Sequence, residues 1–224
     1  MSFVSNSTGS FFSRSLAQMA DLRAGIERTQ TQIATGQKIA RGSDDPAAAA
    51  QLRNVARRQV LADAESDNAA RLEQDLGAAS TEVEAVAALL QRARELAVQA
   101  ANTPTGADGQ RAIAFELEQL GQELFARANG TSLTGEPLFA GLSSGPAFTR
   151  DAAGNVIYAG TPTSGAVAVA PGTAIDRGLP GSEVFAFDLN GTPSSAFAVL
   201  SGLAAALGGG SPDPAGAARA AIEG

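Results

Sequence analysis

Side chains able to carry acid–base or nucleophilic chemistry are scarce in this chain. Its 224 residues include no His and no Cys, and Lys38 is the only Lys. Imidazole-dependent catalysis, thiolate nucleophiles, thiolate zinc sites and disulfides are therefore excluded. The remaining material is carboxylate pairs, Glu82 with Glu84 and Glu116 with Glu118. Residues two apart on a helix point to different faces, so neither pair builds a cleft that would split their pKa values. A Ser or Thr nucleophile would need a base, and Lys38 is the sole side-chain amine. Asp44 and Asp45 are adjacent carboxylates, but no ligand-spaced loop or further nearby carboxylate completes a cation site. The Gly-rich stretches lack a strand–loop–helix context with a phosphate-binding Lys. No catalytic residue, cofactor or metal ligand is expected.

Chemistry of contact is better represented. Of the 44% hydrophobic residues, 48 are Ala, a composition suited to closely packed helices. Residues 1–60 carry eight Lys/Arg and four Asp/Glu, and the remaining 164 carry eight and nineteen. The basic first portion could thus face an acidic partner surface, including another copy's acidic portion. Net charge is −7 with 5% aromatics, which argues against nucleic acid as a partner. No apolar run approaches the roughly 18 residues of a membrane helix, and Met1 to Ser15 lacks the core of a cleaved signal peptide.

Helical periodicity dominates up to about residue 131. The first segment, Gly9 to Ala40, repeats Phe12, Met19, Ile26 and Ile33 every seven residues. One apolar position per heptad is a narrow stripe, and Gly25 and Gly36 each cost about 1 kcal/mol inside a helix. Such a helix needs a partner to bury its stripe. Gly42 is expected to end it. Asp45 then falls at the N-cap of the next helix, with Pro46 at the first helical position. That second helix, Ala47 to Ala101, carries one series through Ala69, Leu76, Val83, Leu90 and Ala97. A companion offset by three runs through Leu72, Ala79, Val86, Ala93 and Ala100. Its length, roughly 80 Å at 1.5 Å per residue, predicts a rod. Both series are expected to be buried, so Leu90→Asp is expected to cost several kcal/mol through an unpaired buried charge. After a turn at Asn102–Gly106, a third helix from Asp108 to Asn129 places Ile113, Leu117, Leu120 and Leu124 on one face, with Phe115 beside them. The short turn predicts antiparallel packing on the second helix.

After residue 131, Gly, Pro, Ser and Thr take over and short strands are expected. Candidates are 147–149, 156–158, 167–169 and 184–187, the first two joined as a hairpin through Arg150–Asn155. Ser194 is placed to cap a helix over Ala196 to Leu207. Gly208–Pro214 stops it, and a last Ala-rich helix starts at Ala215.

Several of these segments, in order, resemble the flagellin family. Thr35-Gly36-Gln37-Lys38-Ile39 and Gly42-Ser43-Asp44-Asp45-Pro46-Ala47 are similar to the family's turn after its N-terminal helix. Arg92-Ala93-Arg94-Glu95-Leu96-Ala97-Val98-Gln99-Ala100-Ala101-Asn102 is similar to the end of its long helix. Leu138-Phe139-Ala140-Gly141, Phe148 and Tyr158-Ala159-Gly160 resemble the branch that joins hook to filament more than the filament subunits. The resemblance implies a mainly α fold: an elongated rod of long antiparallel helices with a small β-rich domain inserted after the third helix. It divides the chain into an N-terminal assembly helix and turn (1–45), a rod (46–131), the insertion (132–193) and a C-terminal helical start (194–224). Family members close with a long C-terminal helix, expected here to be missing or barely begun.

The implied role is a structural subunit of the bacterial flagellum, extracellular, exported without a cleaved signal peptide. Its implied partners are copies of itself, an adjacent hook-associated protein and flagellin, with room for an export chaperone. Packing residues are then Phe12, Met19, Ile26, Ile33, Ala69, Leu72, Leu76, Val83, Val86 and Leu90. A filament flagellin stays open as an alternative. A coiled-coil adaptor unrelated to flagella shares the rod but not the β-rich insertion.

Overall fold

The computed structural model describes residues 4–39, 41–102, 106–189, 191–211 and 213–223. Ala40, Thr103–Thr105 and Pro212 lie outside them, so the ends of the first segment and of the 102–106 turn are not described. The fold is mainly α, with long helices and small antiparallel strand pairs after the third helix. The chain packs as two units, one up to Leu61 and one from Ala62. That division falls inside the second helix, where residues 51–64 bury no side chain.

In the first unit, α1 spans Val4–Thr35 and the second helix, α2, begins at Pro46 and runs to Asn102. Helix α1 ends five residues earlier than expected. Gly36, with φ +66°, turns the chain into the left-handed region that favours glycine. It therefore terminates the helix instead of weakening its interior, and Gly42 is not the residue that stops α1.

The second unit is built around the rest of α2, around α3 (Ala107–Ala128) and around α5 (Ala196–Ala205). Two ion pairs fix the sense of α2 against α3. Arg92 meets Glu116 at 2.6 Å, and Glu82 meets Arg127 at 3.3 Å, so stepping back along α2 advances along α3. The helices are antiparallel, as the short turn predicts. Both helices contribute to one apolar core, through Val86, Ala93, Leu96, Ala97 and Ala100 on α2 and Ile113, Leu117, Leu124 and Ala128 on α3. Phe115 points away and is exposed.

Among the described residues, three two-stranded antiparallel sheets follow: β1 (Phe148–Arg150) with β2 (Val156–Tyr158), β3 (Ala166–Ala170) with β4 (Thr173–Asp176), and β5 (Ala186–Leu189) with β6 (Thr192–Ser195). In the β1–β2 loop, the Asp151 carboxylate accepts from the backbone N–H groups of Ala153 and Asn155 and from the Asn155 amide. The Asn155 side chain is the main reason Asp151 sits below the usual carboxylate range. The expected strand 184–187 is different in detail. Gly181–Val184 is one turn of helix, α4, which buries Phe185 before β5 starts. The cap of α5 is Ser195, whose hydroxyl accepts from the Ala198 N–H, while Ser194 pairs with Phe187 inside β6. A π-helical turn, Ala206–Gly210, separates α5 from α6 (Pro214–Glu223), which packs Ala218 into the same core.

Small strand pairs need anchors, since a lone hairpin is marginal in water. Phe139, Phe148, Phe185 and Phe197 interlock with ring centroids 4.9–5.6 Å apart, and Tyr158 joins them 5.3 Å from Phe148. Gly181 permits this approach, since a Cβ there would lie 2.7 Å from the Phe148 ring. Burial raises the Tyr158 phenol, whose single O–H lies within donating distance of the carbonyls of Thr161 at 2.8 Å and Phe139 at 3.0 Å.

One side chain at the end of α3 hydrogen-bonds to β1, beside the Arg150 guanidinium that lies 4.8 Å over the Phe125 ring. Asn129 donates its amide to the carbonyls of Phe125 and Phe148 and accepts from the Phe148 N–H at 2.9 Å. Asn129→Ala removes the side-chain partners of the Phe148 N–H and carbonyl, while the Phe125 carbonyl keeps the Asn129 backbone N–H. It is expected to cost about 2–3 kcal/mol, read from the urea midpoint of unfolding.

Candidate assembly surfaces

Surfaces suited to holding other proteins occur in each unit. In the first, Phe12, Met19, Ile26 and Ile33 are 52–78% exposed, and Phe11, Leu16 and Leu22 are exposed alongside them. The polar side chains of α1 turn back on their own backbone. Thr29, Thr31 and Thr35 donate to the carbonyls of Gly25, Glu27 and Thr31. Such bonds replace solvent contacts without adding tertiary ones, and slightly loosen a helix. Helix α1 thus has a hydrophobic stripe and no core of its own.

The turn after it is built from carboxylates acting on backbone. Asp44 accepts from the Arg41 N–H at 2.8 Å, and Asp45 accepts from the Ala48 N–H at 2.9 Å, with Pro46 opening α2. The two acids therefore face separate N–H groups rather than one cation. Asp45→Ala is expected to lose about 1 kcal/mol from the start of α2, detected as faster amide exchange at Ala48 and Ala49. Gln37, Lys38, Ile39, Gln51, Leu52 and Val55 line an open groove of about 620 Å³ beside this cap.

In the second unit, the heptad residues of α2 divide into two sets. Leu72 and Val86 are buried at 5% exposure, whereas Leu76, Val83 and Leu90 remain 37–39% exposed. Ala69 is half-buried. The companion series thus faces the core, while Leu76, Val83 and Leu90 of the first series form an open ridge that ends at Ala97, which is buried. Leu90 continues into a groove of about 370 Å³ lined by Ala97, Phe187, Val199, Leu203 and Ala221. Phe187 and Val199 were not expected at a contact surface. Phe187 alternates out of a hairpin with no long apolar pattern, so nothing near it in sequence marks it.

The acidic pairs are divided among different neighbours. Glu116 accepts from Arg92, and Glu82 from Arg127. Their partners two residues on, Glu118 and Glu84, are exposed. Hydrogen bonds to Glu116 and then Glu95 raise the Arg92 guanidinium above its ordinary value, and hydrogen bonds to Glu123 and then Glu82 do the same for Arg127. Among the described residues no group of three or more Asp, Glu, His or Cys is placed to hold a metal ion, and no helix is long and apolar enough to cross a membrane.

The sequence profile of the bacterial flagellin N-terminal helical region matches residues 7–144. FlgL of Xanthomonas campestris superposes with a TM-score of 0.63 at 22% identity, covering 74% of this chain and 84% of that one. A flagellar hook-associated protein from Vibrio parahaemolyticus superposes at 0.68 and 23% identity, covering 81% and 80%. Flagellar hook-associated protein 3 from Legionella pneumophila gives 0.54 at 22% identity, covering 60% and 41%. No curated protein matches in sequence. At these identities the superpositions speak for the fold.

Proposed function

We infer the role from membership: the chain belongs to the flagellin family, whose N-terminal helical region is matched over residues 7–144, and we propose that it joins hook to filament. The observation carrying this reading is that the likeness to hook-associated proteins covers 81% of the chain. It therefore extends beyond the helices that flagellins share and into the region of small strand pairs. Members of the family are components of the bacterial flagellum. The finer reading places this chain outside the cell, exported without a cleaved signal peptide. It would contact an adjacent hook-associated protein, flagellin and its own copies, with an export chaperone before assembly.

The work of such a subunit is burial. Covering one large apolar side chain contributes about 1.5–3 kcal/mol. Seven of them along α1 supply on the order of 10 kcal/mol gross, from which the ordering cost of association is subtracted. The ridge Leu76, Val83 and Leu90 and the α1 positions Phe12, Met19, Ile26 and Ile33 are the proposed packing residues, with Leu72 and Val86 holding the ridge to its core. Amide exchange over residues 8–35 is expected to be fast in the dilute chain and strongly slowed in the assembled flagellum. Strong protection in the dilute chain would contradict an assembly-dependent α1.

Immunogold labelling of flagella decides the location. One band between hook and filament is the expected result. Labelling along the whole filament would overturn the junction role in favour of a filament flagellin.

A further inference from the structure

One polar pocket lies wholly within the second unit and belongs to none of the surfaces above. Three loop segments, 134–138, 141–144 and 177–179, border about 300 Å³ against Asp75 and Ala79 of α2. Hydrogen bonds hold its walls. On one side the Ser132 N–H donates to the Glu136 carbonyl at 2.7 Å, and the Ser132 and Thr134 hydroxyls pair at 2.8 Å. On the other, Gly141 takes φ +65°, and a Cβ there would lie 2.4 Å from the Thr161 carbonyl oxygen. The Leu142 N–H donates to the Thr161 hydroxyl at 2.6 Å. An ion pair ties Glu136 to Arg177. The pocket is therefore formed before anything enters it.

Its polar groups are mostly committed to one another, but Asp75 is not. That residue is partly buried, and among the described residues its carboxylate has neither a hydrogen bond nor an ion pair. Arg71, four residues earlier, is exposed and makes no ion pair with it. Cation before acid is the weaker order for such a pair on a helix, and Asp67 stands before Arg71 in the stronger one. The Ser144 and Ser164 hydroxyls also lack partners among the described residues. Glu136 and Arg177 cancel, so the pocket keeps the charge of Asp75, and an unpaired carboxylate held partly out of water is a cost to the fold. Leucines form the apolar part of the walls. Leu142 and Leu179 are 63% and 62% exposed at the rim. Leu142 is nonetheless fixed in place, since it lies so close over Gly165 that a Cβ there would be 2.8 Å from its methyl.

We infer that this pocket docks an arginine side chain carried by an extended segment of a partner protein. A guanidinium is planar, weakly hydrated and able to meet a carboxylate with two N–H groups at once. Its methylene stem suits the leucine walls, and apolar residues on either side of that arginine would cover Leu142 and Leu179. A divalent cation fits poorly, because Asp75 is the one uncommitted carboxylate bordering the pocket. The inference goes beyond the junction role and does not rest on it.

The probe is the peptide Ala-Leu-Arg-Leu-Ala, labelled with fluorescein at its amino end and amidated at the other, titrated with the whole chain by fluorescence anisotropy. Replacing its arginine by citrulline keeps the shape, removes the charge and is expected to weaken binding about tenfold. Asp75→Asn is expected to weaken the arginine peptide by a similar factor and to erase its advantage over citrulline. Leu142→Ser should weaken both peptides about threefold and keep that advantage. Because Asp75→Asn removes an unpaired carboxylate, its thermal midpoint is expected to equal or exceed the parent's, so lost binding is not lost folding. Three results overturn the site: no saturable binding up to about 1 mM, equal binding of the two peptides, or an Asp75→Asn chain that still prefers arginine. Argininamide competing as strongly as the peptide would assign the pocket to a free cation and overturn protein docking. Labelling of flagella bears on none of these outcomes, so this site and the junction role fail separately.

Discussion

Phe148→Ala is expected to lower the unfolding free energy by about 3–5 kcal/mol, the cost of removing a buried aromatic side chain from a packed core. The value belongs near the top of that range because the ring is shared. Phe185, Phe197 and Tyr158 all lie with centroids 4.9–5.3 Å away, and each pair adds about 0.5–1.5 kcal/mol beyond area burial. At about 2–4 °C per kcal/mol for a unit of this size, the thermal midpoint falls by about 6–20 °C. Phe148→Leu, which keeps most of the volume, is expected to lose about 1.5 kcal/mol or less. Phe12→Ala supplies the contrast: the same deletion at an exposed position should leave the midpoint unmoved. Equal losses from Phe148→Ala and Phe12→Ala in differential scanning calorimetry would contradict the assignment of the core to the aromatic cluster.

That cluster also marks where sequence reasoning reaches its limit. Long-period signals translate directly. The expected helix 47–101 is Pro46–Asn102, the third helix shifts by one residue at each end, and Val156–Tyr158 is a strand, as expected beside a Gly-containing loop. Short elements whose burial depends on distant residues do not. Strand β4 is exposed throughout and carries no alternation, and β6 contains Pro193, so neither announces itself. Phe139, Phe148, Phe185 and Phe197 are separated by loops of unrelated composition, and only the folded chain reveals that one ring system joins them. Asp45 at its cap was legible because a cap is local, involving residues three apart. The seam of α2 was half legible. Periodicity locates both heptad series, but which one the core covers depends on α3 and α5, whose position the α2 sequence does not encode.

Leu117→Asp and Leu90→Asp turn that distinction into numbers. Leu117 is fully buried between α2 and the aromatic side of the core. A carboxylate there has no charge partner among its apolar neighbours, so it is expected to cost about 4 kcal/mol or more and to unfold much of the second unit. Leu90 carries the same heptad spacing but is 37% exposed at the mouth of the Phe187 groove. An Asp there keeps contact with water and stands four residues before Arg94, a favourable spacing. The expected cost is therefore about 1 kcal/mol or less, not the several that full burial of both series would give. Urea unfolding of the two variants measures the difference directly. If Leu90→Asp unfolds as readily as Leu117→Asp, the ridge is core and cannot serve as a docking surface. If it folds like the parent yet loses its place on the flagellum, then Leu76, Val83 and Leu90 stay exposed because the surface that covers them is supplied only on assembly.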